Sequence, residues 1–230
     1  MLHVDMDQFL VAIELLRRPE LAGLPVVVGG RGDPGERAVV STASYEARAF
    51  GLQSGLALKL ARKRCADAVF LPVDFPHYEA ASATVMTALR SMPGAVVEVL
   101  GWDEAFVGFE VDDTVDPMTL AAATRETMFA ASRLSCSVGV GDTLVRAKTA
   151  TGFGKPAGTY LLTRENWLEV MGERETRSLW GIGPRIAARL ASMGIETVAE
   201  LAAAPVERLV TEFGKVGGQH VSALGRGEGR

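Results

Sequence analysis

The sequence predicts an α+β fold, and three observations carry that reading. Strand-length apolar runs alternate with helix-length segments from Leu2 to Leu162, a pattern that gives a sheet covered by helices. From Arg164 onward only short helical segments follow. Two of the strand-like runs, Val4-Asp5-Met6-Asp7 and Gly101-Trp102-Asp103-Glu104-Ala105-Phe106, carry carboxylates. Ionised groups on a buried sheet are costly unless something offsets them, and the usual offset is a bound cation. Hard divalent ions such as Mg²⁺ take few protein carboxylates and complete their shells with water and phosphate oxygens. Two acidic strands from distant parts of the chain therefore point to a two-metal phosphoryl-transfer site.

In chain order, residues 2–6 read as a strand and 7–16 as a helix, with Asp7 placed as its N-cap. Residues 25–28 form a strand running into Gly29-Gly30, residues 31–37 a polar loop, and 38–42 another strand. A helix over 43–50 should stop at Gly51, the position a C′ glycine favours. Residues 56–65 read as a small helix, 69–72 as an extended return, and 78–92 as a long helix ending before Pro93. Strands over 96–100 and 105–109 flank the Asp103-Glu104 corner; helices over 119–134 and 143–151 bracket a strand at 135–140, and 160–162 completes the sheet. This order fits a ferredoxin-like sheet with an insertion after its first strand. Beyond it come short helices over 186–193, 198–203 and 206–213, with Gly181-Ile182-Gly183-Pro184 preceding the first. The terminal Gly225-Arg226-Gly227-Glu228-Gly229-Arg230 reads as a linker, suggesting that the natural protein continues.

Of 230 residues, 48% are hydrophobic, enough for a substantial core. The net charge of −4 argues against a strongly basic nucleic-acid-binding chain, although a carboxylate-rich site can coexist with a separate basic face. The two cysteines, Cys65 and Cys136, form no CxxC pair and read as reduced, buried thiols. With no basic-then-apolar leader and no run of membrane-spanning length, a soluble cytoplasmic protein without a membrane partner is expected.

Six collinear runs carry a family resemblance: His3-Val4-Asp5-Met6-Asp7, Ser41-Thr42-Ala43-Ser44-Tyr45-Glu46-Ala47-Arg48, Asp103-Glu104-Ala105-Phe106, Ser137-Val138-Gly139-Val140, Lys155-Pro156-Ala157-Gly158 and Trp180-Gly181-Ile182-Gly183-Pro184. Together they make nearly the whole chain resemble the Y-family of translesion DNA polymerases, in its DinB or polymerase IV branch. The resemblance implies a ferredoxin-like palm (1–9 and 74–162), an inserted fingers subdomain (10–73) and a small all-helical helix-hairpin-helix thumb (163–230). The resemblance also implies a little-finger domain, expected to be absent here, which would account for the acidic balance and leave a sliding clamp to be engaged through a missing C-terminal region. The implied partners are primer-template DNA and dNTP; the implied protein is a monomer acting in DNA repair.

The resemblance also implies residue roles. Asp5 and Asp103 would bridge two Mg²⁺ ions, with Mn²⁺ as an alternative, Glu104 would hold the ion at the primer 3′-hydroxyl, and the backbone carbonyl of Met6 would add a ligand. Read alone, Asp103-Glu104 could equally cap a hairpin. Asp5 and Asp7 share a strand face, so Asp7 is a second-choice ligand; His3 shares that face too but is read as structural, since hard ions prefer oxygen. Thr42, Tyr45, Arg48 and Lys155 match residues on the triphosphate, with Tyr45 and Arg48 on one helix face. Lys148 is a second candidate for the triphosphate but reads rather as a solvated helix lysine, and Gly152 and Gly154 are departures that could loosen Lys155. The amides of Gly181 and Gly183, with Arg185 and also Arg189, are placed on the DNA backbone.

The most diagnostic departure is Leu10. The family usually has an aromatic steric gate there, packed under the sugar; leucine predicts easier acceptance of rNTP. The rival account leaves Phe9 beneath the ribose as the fence. Two other functions remain open: a nucleotide cyclase, which needs neither fingers nor thumb, and a catalytically weak polymerase-like DNA-binding scaffold of a mutagenesis complex.

Overall fold

The computed structural model describes residues 1–110 and 115–229. Five strands form the main sheet: β1 (Leu2–Met6), β5 (Ala95–Val99), β6 (Glu104–Phe109), β7 (Cys136–Gly141) and β8 (Thr159–Leu162), in spatial order β5-β6-β1-β7-β8. β1 is central and antiparallel to both β6 and β7, while β7 and β8 are parallel. The first four in space are the ferredoxin-like set, and β8 extends it.

The period-2 alternation of β1 decides what each face does. Leu2, Val4 and Met6 pack into one core with Val85, Met86 and Leu89 of α4 (Phe75–Ser91) and with Ala121 and Met128 of α5 (Pro117–Ser132). His3 and Asp5 face the other way, toward α6 (Leu144–Gly154), where His3 meets Thr151. The approach of α6 to β7 depends on glycine: a Cβ on Gly139 would sit 2.0 Å from the Ala147 carbonyl oxygen. A side chain there would lift the helix, and the polar groups it carries, off the sheet.

The insertion builds its own three-stranded sheet, in order β3 (Thr42–Ala43), β2 (Val26–Val28), β4 (Val69–Leu71), with α1 (Phe9–Arg17), α2 (Tyr45–Arg48) and α3 (Leu58–Arg64). β2 is apolar on both faces because Val26 and Val28 join the main core while Val27 packs with Val40, Leu52 and Leu58 in a local one. Three expectations change here. α1 begins at Phe9, since Gln8 adopts a left-handed conformation (φ 42°) that ends the strand run. The strand expected over 38–42 shrinks to Thr42–Ala43, its remainder making only a bridge from Val39 to Ala57. The helix expected over 43–50 is a single turn, capped where the Ser44 hydroxyl accepts from the Ala47 amide (3.2 Å).

The C-terminal helices are α7 (Trp167–Met171), α8 (Pro184–Ser192), α9 (Val198–Ala203) and α10 (Val206–Gly225), the last kinked at Gly214. Their core, with Trp167, Ile182, Leu190 and Leu224, is continuous with Val145 and Ala150 of α6. The expected linker over 225–230 is corrected for its described part: it is docked. Trp167 Nε1 donates to the Gly225 carbonyl (2.8 Å), Arg146 Nη2 to that of Arg226 (2.7 Å) and Thr143 Oγ1 to that of Gly227 (2.6 Å). Glycine serves close approach here, because a Cβ on Gly227, at φ +67°, would meet Trp167 at 2.7 Å. Arg230 lies outside the described residues. Cys65 and Cys136 are buried free thiols, and burial pushes the Cys136 thiol up to about 12. Among the described residues no helix is long and apolar enough to cross a membrane.

Candidate active site

The sheet register brings the acidic runs together. Asp5 lies directly opposite Glu104 across the β1–β6 ladder, so both side chains stand on the face turned toward α6. Asp103 sits in the bend before β6, its carbonyl accepting from the Met6 amide (2.9 Å). Burial pushes the Asp103 carboxyl above the usual range, and the charge of Asp5 adds to the shift. The donor set, three acidic side chains with oxygen ligands only, suits hard divalent cations. The residues fit the expected cations in chemistry, although among the described residues no group of three acidic, His or Cys side chains is already gathered for coordination.

Two ammonium groups lie against these carboxylates. Lys155 Nζ donates to Asp5 Oδ1, and Lys148 Nζ donates to Glu104 Oε2. Lys148 is therefore no solvated helix lysine: α6 lies so close to β7 that Lys148, 18% exposed, is delivered onto the sheet face. His3, 1% exposed, has Nδ1 2.8 Å from Thr151 Oγ1 and Nε2 3.2 Å from both Glu104 Oε2 and Lys148 Nζ. Burial lowers the His3 pKa, so the ring is neutral near pH 7 and steadies Glu104 as a structural residue. Contact with His3 and Lys148 holds the Glu104 carboxyl down at about 2. The glycine pair in Ser137-Val138-Gly139-Val140-Gly141 was the signal that could have flagged Lys148, because two glycines on one strand face mark a close helix approach.

Asp7 is neither N-cap nor a free ligand. It is 2% exposed, and its two oxygens accept four hydrogen bonds: Oδ1 from Tyr45 Oη (2.9 Å) and Ser137 Oγ (2.8 Å), Oδ2 from Ser135 Oγ (3.2 Å) and the Ala157 amide (2.9 Å). Four is about the acceptor capacity of a carboxylate, which leaves it nothing for a metal.

On the insertion side, Tyr45 Oη reaches across to donate to Asp7, and its amide donates to Gln8 Oε1 (2.8 Å). Arg48 is exposed, with its guanidinium 4.8 Å above the Tyr45 ring and Nε donating to the Ala43 carbonyl (3.0 Å). Thr42 is half-buried on β3. Leu10 is half-buried at the start of α1. Phe9 is a correction: at 2% exposure it belongs to the main core and offers no surface to a sugar.

Gly181, Gly183 and Arg185 are exposed at the turn into α8, where Gly183 is the N-cap and Gly181 is left-handed (φ +93°). Arg189, half exposed, donates to Glu212 Oε1 (2.8 Å) and lies 4.4 Å from the Phe213 ring centre. Trp180 links this turn to the acidic cluster, its ring 5.3 Å from Lys148 Nζ and 6.3 Å from Phe106.

Comparison with known proteins follows the same lines. A family model described as the impB/mucB/samB family matches residues 4–152, and one described as "DNA polymerase-iota, thumb domain" matches 177–228. "DNA polymerase IV 2" of Mycobacterium tuberculosis is 50% identical over 214 residues, covering 93% of this chain and 62% of the relative. The chain thus spans less than two thirds of that relative's length. Among solved structures, "Insertion ternary complex of Dbh DNA polymerase" superposes with a TM-score of 0.86 at 25% identity, covering 99% of this chain and 67% of that one. "Crystal Structure of DinB from Sulfolobus solfataricus" gives 0.83 at 26% identity, covering 98% and 66%. With one family model over the main sheet and its insertion and another over the C-terminal helices, the chain belongs to the impB/mucB/samB family and is of the Y-family, DinB type.

Proposed function

We propose that this chain is the catalytic part of a template-directed DNA polymerase of the translesion type, which transfers a nucleotide from dNTP to a primer 3′-hydroxyl. The observation that carries this reading is the meeting of Asp5 and Glu104 across one ladder, with Asp103 at its end and Lys155 and Lys148 alongside, in a chain of this family. Residues 1–9 and 74–162 then act as palm, 10–73 as fingers and 163–230 as thumb.

Asp5 and Asp103 would hold two divalent cations, Mg²⁺ or Mn²⁺, with Glu104 and the Met6 carbonyl adding oxygens. When bound, these ions lower the pKa of the attacking hydroxyl and stabilise charge on the leaving pyrophosphate. Lys155, released from Asp5, carries its charge to the triphosphate, joined by Thr42, Tyr45 and Arg48. The free amides at Gly181 and Gly183 hold DNA phosphates without reading sequence, and Arg185 adds charge beside them. Leu10 lies under the sugar with no ring to exclude a 2′-hydroxyl, so rNTP is accepted alongside dNTP.

Primer extension with Mg²⁺ and with Mn²⁺, using Asp103→Ala as control, tests the reading. Extension by the wild type that the control lacks supports it. DNA binding without extension would favour the scaffold, and turnover of GTP alone a cyclase. Leu10→Phe should raise discrimination against rNTP by up to about a hundredfold, the ceiling for apolar exclusion of one hydroxyl.

A further inference from the structure

We infer that Asp7 is the positioning residue of the nucleotide site: a buried carboxylate that binds neither metal nor substrate but sets where Tyr45 and Lys155 stand. The inference rests on the polymerase reading and goes beyond it, because that reading gives Asp7 no role and the structure fills its acceptor positions with protein donors.

Its four donors come from three parts of the chain that sequence separates widely. Tyr45 belongs to α2 of the insertion, Ser135 and Ser137 to the entry and second residue of β7, and Ala157 to the turn after Lys155. Asp7 itself follows β1 and is fixed there by its own amide, which donates to the Ser135 carbonyl (3.0 Å). One side chain therefore ties the insertion to the sheet and both to the Lys155 turn.

The Lys155 turn needs such a tie. Ala157 has φ +50°, a left-handed conformation that a residue with a Cβ holds only when its surroundings over-determine it. Both sides of its backbone are gripped: the amide donates to Asp7 Oδ2, and its carbonyl accepts from Arg125 Nη2, on α5. Arg125 Nε also donates to the Cys136 carbonyl (3.2 Å), which anchors the clamp to β7. Lys155, two residues before Ala157, takes its position from this grip. On the insertion side, the Arg48 guanidinium lies over the Tyr45 ring, so a shift of Tyr45 carries Arg48 with it. Asp5, by contrast, is held by ladder pairing on both sides and does not depend on Asp7.

Asp7→Asn separates these effects by chemistry. The new amide NH₂ must face one donor pair. Tyr45 and Ser137 hydroxyls can rotate to accept from it, whereas the Ala157 amide cannot. The amide oxygen therefore stays with Ala157, and the Tyr45 contact is reversed: a neutral NH₂ donates to Oη where a carboxylate oxygen accepted from it. The variant should raise the KM for dNTP by about fivefold, the difference between a charge-assisted and a neutral hydrogen bond, with kcat within about threefold. Tyr45→Phe removes that contact altogether, so the double variant should be no worse than Tyr45→Phe alone. Mn²⁺ binding without nucleotide, followed by titration calorimetry, should be unchanged in Asp7→Asn. Arg125→Ala, which opens the far side of the Ala157 clamp, should show the same KM signature and keeps the test alive if Asp7→Asn does not fold.

An unchanged KM in both Asp7→Asn and Arg125→Ala, additive effects in the double variant, or loss of Mn²⁺ binding in Asp7→Asn each overturn the positioning role while leaving the polymerase reading in place. Absence of extension by the wild type overturns that reading, and the positioning role with it.

Discussion

Asp5 and Asp7 lie two residues apart, yet the two ends of this short run have become different kinds of site. Asp5 is 20% exposed and is met by the Lys155 ammonium at the end of a flexible side chain. Asp7 is sealed under hydroxyls and an amide that the fold holds in place. On the proposed reading, the mobility of a carboxylate's partners, and not its burial, decides whether it can take a cation. An ammonium can leave and be replaced by a cation without disturbing the sheet. Four fixed donors cannot leave without leaving holes. Glu104 is of the first kind, held by Lys148 and His3, and Asp103, pushed upward by burial, is the least satisfied of the group.

The largest expected effect tests the open end. Asp103→Ala should cut single-turnover nucleotide incorporation by at least about a thousandfold, the order lost when a charge-stabilising group is removed. Its melting temperature in EDTA should not fall, because the substitution removes a carboxylate that burial destabilises. A marked loss of stability would erase the contrast with Asp7.

Asp7→Ala is the converse. It strands the Tyr45, Ser135 and Ser137 hydroxyls and the Ala157 amide, so chemical denaturation should report a loss on the order of 3 kcal/mol. Wild-type stability in this variant would place Asp7 with Asp5 after all. A smaller effect sharpens the comparison within the open group: Lys148→Met removes the resident cation from Glu104 and should tighten Mn²⁺ binding several-fold by calorimetry, at the strength of a part-exposed ion pair.

The smallest effect is in pH. Glu104 is held down at about 2 from an ordinary 4.5, so the unfolded chain binds the proton first and stability in EDTA should fall as pH drops through that window. Asp103, pushed upward, contributes with the opposite sign and gains stability as pH falls through its raised value. Glu104→Gln should flatten the acid limb of the thermal-melt profile; an unchanged limb would mean that Glu104 is not held by His3 and Lys148.

Much of this molecule is written locally. The alternation in Leu2–Met6, the acidic corner at Asp103-Glu104 and the turn at Gly181–Gly183 each rest on short-range rules of pleat, charge and backbone freedom, and each stands where the sequence placed it. Even the strand pairing that joins Asp5 to Glu104 follows from which residues must face a core. Identity could not say who would neutralise whom. Lys148 read as solvated because helix periodicity does not report how near a helix lies to a strand. Gly225–Gly227 read as a linker because glycine looks the same whether it supplies freedom or closeness. Asp7 read as a cap because its donors lie up to 150 residues away. The sequence by itself determined which side chains could carry charge and which face of each element they would take. Only the tertiary structure decided which of those charges were satisfied and which were left to be shared, since hydrogen-bond saturation depends on contacts between segments distant in the chain.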